Sequence, residues 1–452
     1  MVNETLLQEL STSTVGIYGY GNTGRCLAEE LSGRVGEIIV YDDCRPSEIK
    51  SGPLQESIQW VFSPKALQED LDYLFVSPGI PGDHPILRQA REFNIPVWGD
   101  LELSYRLLGN ESIWAVTGTN GKSTCTELLG CLLGEVFDQS SVAVCGNRGQ
   151  PLISKVFDAN QIQHYVVEVS SFQVENMETF SPDVGLLTNL GEDHMDYHRS
   201  IREYHGLKLE LLRRVRTDGT VVVPESEADR SPSEGVERRT VDENAMAAGP
   251  VAWDPETGLT FGDSEIAPSE IPLPLREFPE NLLLAVTALR DRLTADRIRR
   301  ALDVFEPLPY RGEPVDTSNG KLVINDSKGT NPSAVIEQLN RREGPVHLVL
   351  GGEAKEVDYG RLIGAVRDSD VRSLTLAGEG STTGELSDLL ESESVSYTWV
   401  TDWETAVKQA YDRTRDGETL LLSPGGTSFD AFENYKDRGE QFDRWIREAD
   451  QS

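Results

Sequence analysis

The stretch Val116-Thr117-Gly118-Thr119-Asn120-Gly121-Lys122-Ser123-Thr124 constrains this chain more than any other. A short apolar run, Ser112 to Val116, precedes it, and a helical pattern, Cys125 to Leu133, follows. Strand, glycine-rich turn and helix in that order make a cradle for a polyphosphate. Backbone N–H groups at the helix N-terminus face the anion, and Lys122 adds a full positive charge. A hydroxyl after the lysine, Ser123 or Thr124, is placed to ligate Mg²⁺. The match to the general phosphate-loop pattern is incomplete, because Val116 stands where that pattern has its first glycine.

The N-terminal part has a similar turn. Val15 to Tyr18 reads as a strand entering Gly19-Tyr20-Gly21-Asn22-Thr23-Gly24, a G-x-G-x-x-G turn. A second strand, Glu37 to Tyr41, ends at Asp42-Asp43, roughly 20 residues on, where such folds place a ribose-binding carboxylate. A third, Tyr73 to Val76, exits into Ser77-Pro78-Gly79-Ile80-Pro81, and Asn94 to Val97 with Gly99 to Leu103 closes the unit. Taken alone, this part predicts a dinucleotide-binding domain and an oxidoreductase. A UDP-sugar satisfies the same fold, which promises only a diphosphate at a helix N-terminus.

After the phosphate loop, strand Val142 to Cys145 turns at Gly146-Asn147-Arg148-Gly149. Strand Tyr165 to Val169 carries Glu168, an acid that is costly to bury unless it meets a cation, and Mg²⁺ is the natural one here. Strand Val184 to Leu187 feeds Thr188 through Asp196, a loop dense in oxygen and imidazole ligands, with His194 inside it. Helix Ser200 to Val215 carries Lys208, by spacing an ordinary helix lysine. Residues 224–241 read as a surface excursion, Trp253 to Ile266 as short strands, and Pro279 to Leu293 as a helix. Pro307 to Arg311 is a stiff junction. Beyond it strands at Leu322 to Ile324, His347 to Leu350, Leu374 to Ala377 and Thr419 to Leu422 alternate with helical patterns, Pro332 to Arg341 and Trp403 to Arg413. The expectation is α/β with three domains, each a mostly parallel doubly wound sheet. They are a Rossmann-like 1–108, a P-loop-like 109–309 and a Rossmann-like 310–452.

Composition narrows the partners. The net charge of −34 argues against nucleic acid and anionic membrane as partners. No apolar run reaches transmembrane length, and Met1 to Leu10 has no apolar signal core. Five dispersed cysteines suit reduced thiols, so a cytoplasmic location is expected. Only 10 of the 42 basic residues are Lys. Many carboxylates with little Lys fit a protein adapted to high salt; a base composition favouring Arg is the alternative.

Together, Gly118-Thr119-Asn120-Gly121-Lys122-Ser123-Thr124, Glu168 to Gln173, Glu192 to Asp196 and Asn325-Asp326-Ser327-Lys328 resemble the signatures of the Mur ligases, in order and over nearly the whole chain. Ser77 to Ile80, His84-Pro85 with Gly99 to Leu103, and the stretch from Leu422 through Ser428-Phe429-Asp430 to Arg438-Gly439 resemble the D-glutamate-adding branch. The resemblance implies ATP-dependent ligation through an acyl phosphate, in peptidoglycan precursor synthesis. The implied substrates are UDP-N-acetylmuramoyl-L-alanine and D-glutamate, and a monomer is expected. It implies two Mg²⁺ sites, one at Ser123 and Glu168, the other at His194 and Lys208, with Lys208 carbamylated. It assigns Lys122 to the β/γ-phosphates, Arg311 and Asp326 to phosphates and ribose, and Asn281 to adenine. Asn22, Thr23, Asp42, Asp43 and Gly79 would hold uridine diphosphate, and Asn147 the sugar end. Lys328, Thr330, Lys355, Ser428, Phe429 and Tyr435 would form the D-glutamate pocket. Several positions depart from the family pattern. Phe278-Pro279-Glu280-Asn281 replaces a Gly-x-His-Asn, with Leu284 where a second Asn is usual. Asp43 replaces a common Thr, and Gly425-Gly426-Thr427 replaces a run of small residues. Other readings are another Mur ligase, a folylpolyglutamate-type ligase, an NAD-dependent oxidoreductase, or a nucleotide-binding regulator without turnover.

The charge yields a prediction. Activity and thermal midpoint rise in molar KCl, and rise more than in an equally concentrated uncharged osmolyte, because salt screens carboxylate repulsion. Melts in the two media check this, and a midpoint indifferent to KCl refutes it.

Overall fold

The computed structural model describes residues 2–43, 58–147, 149–157, 162–195, 197–230, 235–242, 250–354 and 358–451. The chain is mixed α/β, and its central parallel strands are built from runs of apolar residues buried on both faces, as parallel sheets require. Two compact units form. The first comprises Met1–Asn189, Arg202–Glu270 and Glu280–Phe305; the second comprises Leu190–Ile201, Ile271–Pro279 and Glu306–Ser452.

The first unit holds three sheets. Strands β1 (Thr14–Tyr18), β2 (Glu37–Asp42), β3 (Gln59–Phe62), β4 (Tyr73–Val76) and β5 (Val97–Gly99) make an all-parallel sheet in the order β3-β2-β1-β4-β5. Strands β6 (Ser112–Thr117), β7 (Val142–Gly146), β8 (His164–Glu168), β9 (Val184–Leu187), β10 (Thr220–Pro224) and β11 (Glu237–Val241) make a second, in the order β11-β10-β9-β6-β8-β7, also parallel. Strands β12 (Val251–Asp254), β13 (Gly258–Phe261) and β14 (Ser264–Ile266) form a small antiparallel sheet. The reading of 224–241 as a surface excursion is corrected by β11. This strand is polar because it lies at a sheet edge, and its one buried arginine, Arg239, is satisfied by Glu237, Asp291 and the Thr287 and Ala288 carbonyls.

One hydrophobic core joins the two large sheets of this unit: Val15, Leu27 and Phe75 from the first share it with Ala115, Tyr165 and Val167 from the second. Helix Asp100–Leu107 supplies the polar part of the join. Glu102 is fully buried and accepts from the N–H groups of Glu178, Thr179 and Phe180, from the Thr179 hydroxyl and from Arg106. Burial alone would raise its carboxyl, but these bonds outweigh burial and hold it below the ordinary glutamate range. Asp100, on the same first turn, goes the other way. Its Oδ2 is buried with no hydrogen-bond partner among the described residues, and burial pushes the carboxyl up to about 6.

The second unit holds β15 (Glu313–Val315), β16 (Leu322–Asn325), β17 (Val346–Gly351), β18 (Val371–Ala377), β19 (Thr398–Val400) and β20 (Thr419–Gly425) in the order β15-β16-β20-β17-β18-β19. All neighbours are parallel except the edge pair β15 and β16. Both faces are covered, one by a core around Leu348, Leu362 and Leu386, the other by a core around Val349, Trp403 and Phe442. Among the described residues no helix is long and apolar enough to cross a membrane.

The two carboxyls predict opposite pH behaviour. The lowered Glu102 pKa gives stability that is full above its unfolded value of ~4.3 and fades as pH falls through the folded value. Glu102→Gln therefore costs about 1–3 kcal/mol at pH 7 and less at pH 3.5. The raised Asp100 pKa gives stability that is full at low pH and is lost as pH rises through about 6. Asp100→Asn therefore gains about 1–2 kcal/mol at pH 8 relative to pH 4. Urea unfolding of each variant at two pH values reads both, and pH-independent differences would contradict them.

Candidate active site

The phosphate loop lies where strand direction places it, at the carboxyl end of β6, with β8 and β9 on either side. Val116, the departure from the general pattern, is buried inside β6, so the turn itself begins two residues later. Gly118 and Gly121 bracket it at φ +145° and +82°. A Cβ on Gly118 would come within 1.8 Å of Thr188 Oγ1, and one on Gly121 within 2.2 Å of Asn281 Oδ1. Both glycines are therefore required by backbone conformation and by space. Helix Lys122–Val136 starts directly after Gly121, with Ser123 and Thr124 in its first turn.

The loop is clamped from β9. Thr119 N–H donates to the Asn189 carbonyl at 3.1 Å, and Asn120 N–H donates to Asn189 Oδ1 at 2.9 Å. Asn189 Nδ2 and the Thr188 hydroxyl both donate to the Asn120 carbonyl. Lys122 Nζ donates to the carbonyls of Gly118 and Thr119 at 3.0 and 2.8 Å. Lys208 Nζ donates to the same Gly118 carbonyl at 2.8 Å and lies over the Tyr204 ring at 4.1 Å. Lys208 is thus no ordinary helix lysine: it is 1% exposed and reaches the phosphate loop from helix Ile201–Arg213. Tyr204 also touches the loop, donating from its hydroxyl to Thr119 Oγ1 at 3.3 Å.

Glu168 ends β8, buried. Asn147, at the turn after β7, donates from Nδ2 to Glu168 Oε1 at 3.0 Å and from its N–H to the Glu168 carbonyl at 2.8 Å. Asn147 therefore orients Glu168, a part that its place in the sequence did not reveal. The other carboxylate oxygen, Oε2, and the Thr124 hydroxyl are buried without a hydrogen-bond partner among the described residues. An orphaned carboxylate oxygen and an orphaned hydroxyl at a phosphate loop fit a hard divalent cation. Among the described residues no three His, Cys, Asp or Glu side chains converge as a ready-made cage. Asn281 is buried against Gly121.

At the carboxyl end of the first sheet, the Gly19 turn and the Ser77 loop meet where the order reverses between β1 and β4, and Ser77 Oγ donates to the Gly19 carbonyl at 2.7 Å. Asn22 and Thr23 open helix Asn22–Leu31 there. Asp42 Oδ2 accepts from Tyr20 N–H at 2.6 Å, and Asp43 Oδ2 accepts from the Tyr18 hydroxyl at 3.2 Å. Gly79 is exposed at φ +90°.

In the second unit, Asp326 follows β16 and is buried. It accepts from Gly312 N–H at 3.1 Å and from the Ser423 hydroxyl at 2.7 Å. Burial pushes it up to about 7, against the Ser423 bond and the nearby Arg311 charge. Arg311 lies 5.4 Å from the centre of the Phe278 ring. Lys328 Nζ sits 4.3 Å over the Tyr435 ring, so two of the expected pocket residues meet. Thr330 N–H turns back to the Lys328 carbonyl. Ser428 is buried, whereas Phe429 is 73% exposed. His194 has φ +58°, and its neighbour Asp193 is tied to Asn331 Nδ2 at 3.1 Å. Arg148, Asp196 and Lys355 lie outside the described residues.

Known proteins resemble this chain in sequence and in fold. The description "Mur ligase middle domain" matches residues 116–289, and "Mur ligase, glutamate ligase domain" matches residues 310–426. The UDP-N-acetylmuramoylalanine--D-glutamate ligase of Thermoanaerobacter sp. is 32% identical over 459 residues, 97% of this chain and 99% of that one. Among solved structures, MurF ligase from Thermotoga maritima in complex with ADP superposes with a TM-score of 0.61 at 16% identity, over 98% of this chain and 96% of that one. A folylpolyglutamate synthase/dihydrofolate synthase from Yersinia pestis, complexed with AMPPNP and Mn ion, reaches 0.54 at 20% identity, over 73% of this chain and 89% of that one. The chain therefore belongs to the Mur ligase family, the ATP-dependent ligases of peptidoglycan synthesis.

Proposed function

We propose that this chain joins D-glutamate to UDP-N-acetylmuramoyl-L-alanine, releasing ADP and phosphate. The observation that carries the reading is the phosphate loop, where two lysines converge on the Gly118 carbonyl and Glu168 offers a buried, unpartnered oxygen. The near-full-length relative named for this reaction supports the choice of substrates. The folylpolyglutamate likeness covers less of the chain, which disfavours that alternative.

In this reading the carboxylate of the UDP-sugar substrate attacks the γ-phosphorus of ATP. ADP leaves, and an acyl phosphate remains. The amine of D-glutamate adds to the acyl carbon, and the tetrahedral intermediate collapses with loss of phosphate and a proton. Little covalent chemistry falls to the protein, so its work is positioning and charge neutralisation. Lys122 stabilises charge on the transferring phosphoryl group. Asn189 already accepts the N–H groups of Thr119 and Asn120, so the first turn of helix Lys122–Val136 takes the larger share of the phosphates. Mg²⁺, when bound, neutralises polyphosphate oxygens. Glu168 with Ser123 or Thr124 would hold one ion, and His194 with a carbamylated Lys208 the second. The remaining roles follow the resemblance as proposals: Asn281, Arg311 and Asp326 for the nucleotide, Asn22, Thr23, Asp42, Asp43 and Gly79 for uridine diphosphate, and Asn147 for the sugar end. Lys328, Thr330, Lys355, Ser428, Phe429 and Tyr435 are proposed for D-glutamate. We also propose functional divisions at 1–108, 109–309 and 310–452, acting as a cytoplasmic monomer.

Phosphate release that requires ATP, UDP-N-acetylmuramoyl-L-alanine and D-glutamate together tests the function. Equal turnover with another amino acid, or none with this set, overturns it. Lys122→Ala is expected to lower turnover by about 100-fold or more while the circular dichroism spectrum is kept. Retention of more than roughly a tenth of wild-type activity contradicts the assigned role.

Lys208 gives a separate test. Lys208→Ala should abolish turnover, with partial recovery in acetate if a carbamate had supplied a carboxylate-like ligand. Lys208→Arg should not recover, because a guanidinium brings positive charge to a cation site and carries no carbamate. Full activity of the Ala variant removes Lys208 from the site.

A further inference from the structure

Arg438 is the largest fully buried side chain among the described residues, at 0% exposure on the first turn of helix Tyr435–Asp450. A buried charge is expensive unless its hydrogen bonds are made. The acceptors here are one hydroxyl and three main-chain carbonyls. Nε donates to Ser327 Oγ at 3.0 Å, Nη1 to the Thr427 carbonyl at 3.2 Å, and Nη2 to the carbonyls of Ser327 and Gly426 at 2.9 and 3.2 Å. Asp430 and Asp326 lie near enough to favour its charge, although burial lowers the guanidinium to about 10.

The acceptors belong to loops that leave different strands. Ser327 follows β16, while Gly426 and Thr427 follow β20. A third loop, after β17, is tied to the second by reciprocal bonds between Glu353 and Thr427, at 3.0 and 2.8 Å. A Cβ on Gly352 would approach Arg438 Nη1 to 3.0 Å, so this loop also passes the guanidinium closely. Ser327 immediately precedes Lys328, and Thr427 immediately precedes Ser428. Ser327 Oγ in turn donates to the Tyr435 carbonyl at 2.8 Å, and the Tyr435 ring lies under Lys328.

We propose that Arg438 is a positioning residue for the amino-acid substrate: its planar fork sets the spacing of the loops that carry Lys328 and Ser428. A lysine cannot reproduce it, because an ammonium on a flexible stem lacks the fixed geometry of the guanidinium donors. The proposal rests on the D-glutamate reading of these loops. Displaced loops weaken the amino-acid substrate most and leave the UDP-sugar interactions in place, while Asp326, next to Ser327, passes a smaller effect to the nucleotide.

Initial rates of Arg438→Lys and Ser327→Ala, with each substrate varied in turn, test it beside hydrogen exchange of the amides at 326–330 and 425–428. For Arg438→Lys the KM for D-glutamate should rise about tenfold or more, with the KM for UDP-N-acetylmuramoyl-L-alanine within about twofold of wild type and the KM for ATP rising by less than that for D-glutamate. Amides in both loops should exchange faster. Ser327→Ala, which removes one acceptor and leaves the charge, should raise the D-glutamate KM by about two- to fivefold. It decides the matter if Arg438→Lys does not fold. An unchanged D-glutamate KM in a folded variant, or equal rises for all three substrates, overturns the proposal. Wild-type protein that shows no D-glutamate-dependent turnover overturns the functional reading instead. The exchange rates then still decide whether Arg438 holds the loops.

Discussion

The clamp between the exit of β9 and the phosphate loop is the interaction on which the site depends. Gly118 and Gly121 are held at φ +145° and +82°, where a chain left to itself has many alternatives. Asn189 removes those alternatives by bonding the loop through its backbone carbonyl and both ends of its side-chain amide. Each such bond contributes about 1 kcal/mol, so the group is large against the stability of a typical domain. Because β6 and β9 are neighbours in one parallel sheet, their exits are fixed together by the ladder between them. The sheet therefore sets the loop before any ligand does.

Carboxylates show how far environment overrides chemistry. Asp100 and Glu102 lie on one helical turn, and both are buried. Glu102 meets a cluster of donors and stays charged, while Asp100 leaves one oxygen without a partner and is driven toward its neutral form. Asp326, satisfied by a hydroxyl and one N–H, is likewise raised, because two neutral donors do not offset full burial. In a chain this acidic, the surface carboxylates set the overall field and the few buried ones respond to their own neighbours.

Much of the architecture was legible in the sequence, for a physical reason. Central parallel strands such as Tyr73–Val76 and Val184–Leu187 are continuous apolar runs ending in glycine or polar loops, and the structure has them with those bounds. Edge strands β3, β11, β15 and β19 were not legible. They are short and half exposed, and they take their conformation from a neighbour and not from their own pattern. The same division holds at the site. The phosphate loop announces itself through adjacent residues. Asn147 gives no local sign that it bonds Glu168 from 21 positions away, nor does Arg438 that it bonds Ser327 from 111. A buried arginine bonded mainly to main-chain carbonyls leaves no sequence signature, because any residue supplies the carbonyl. Only the dyad Arg438-Gly439 at the end of the resembling stretch was a hint.

Strand β15 has a consequence of another kind. It is the one antiparallel member of its sheet, at the outer edge, and its middle residue is Pro314, opposite Ile324. Proline has no N–H to offer, and Glu313 beside it carries charge. An incoming strand from another copy would find a broken ladder and a carboxylate in place of a continuous row of donors. Proline and charge on an outer strand are the features that disfavour growth of a sheet through β-pairing on that side.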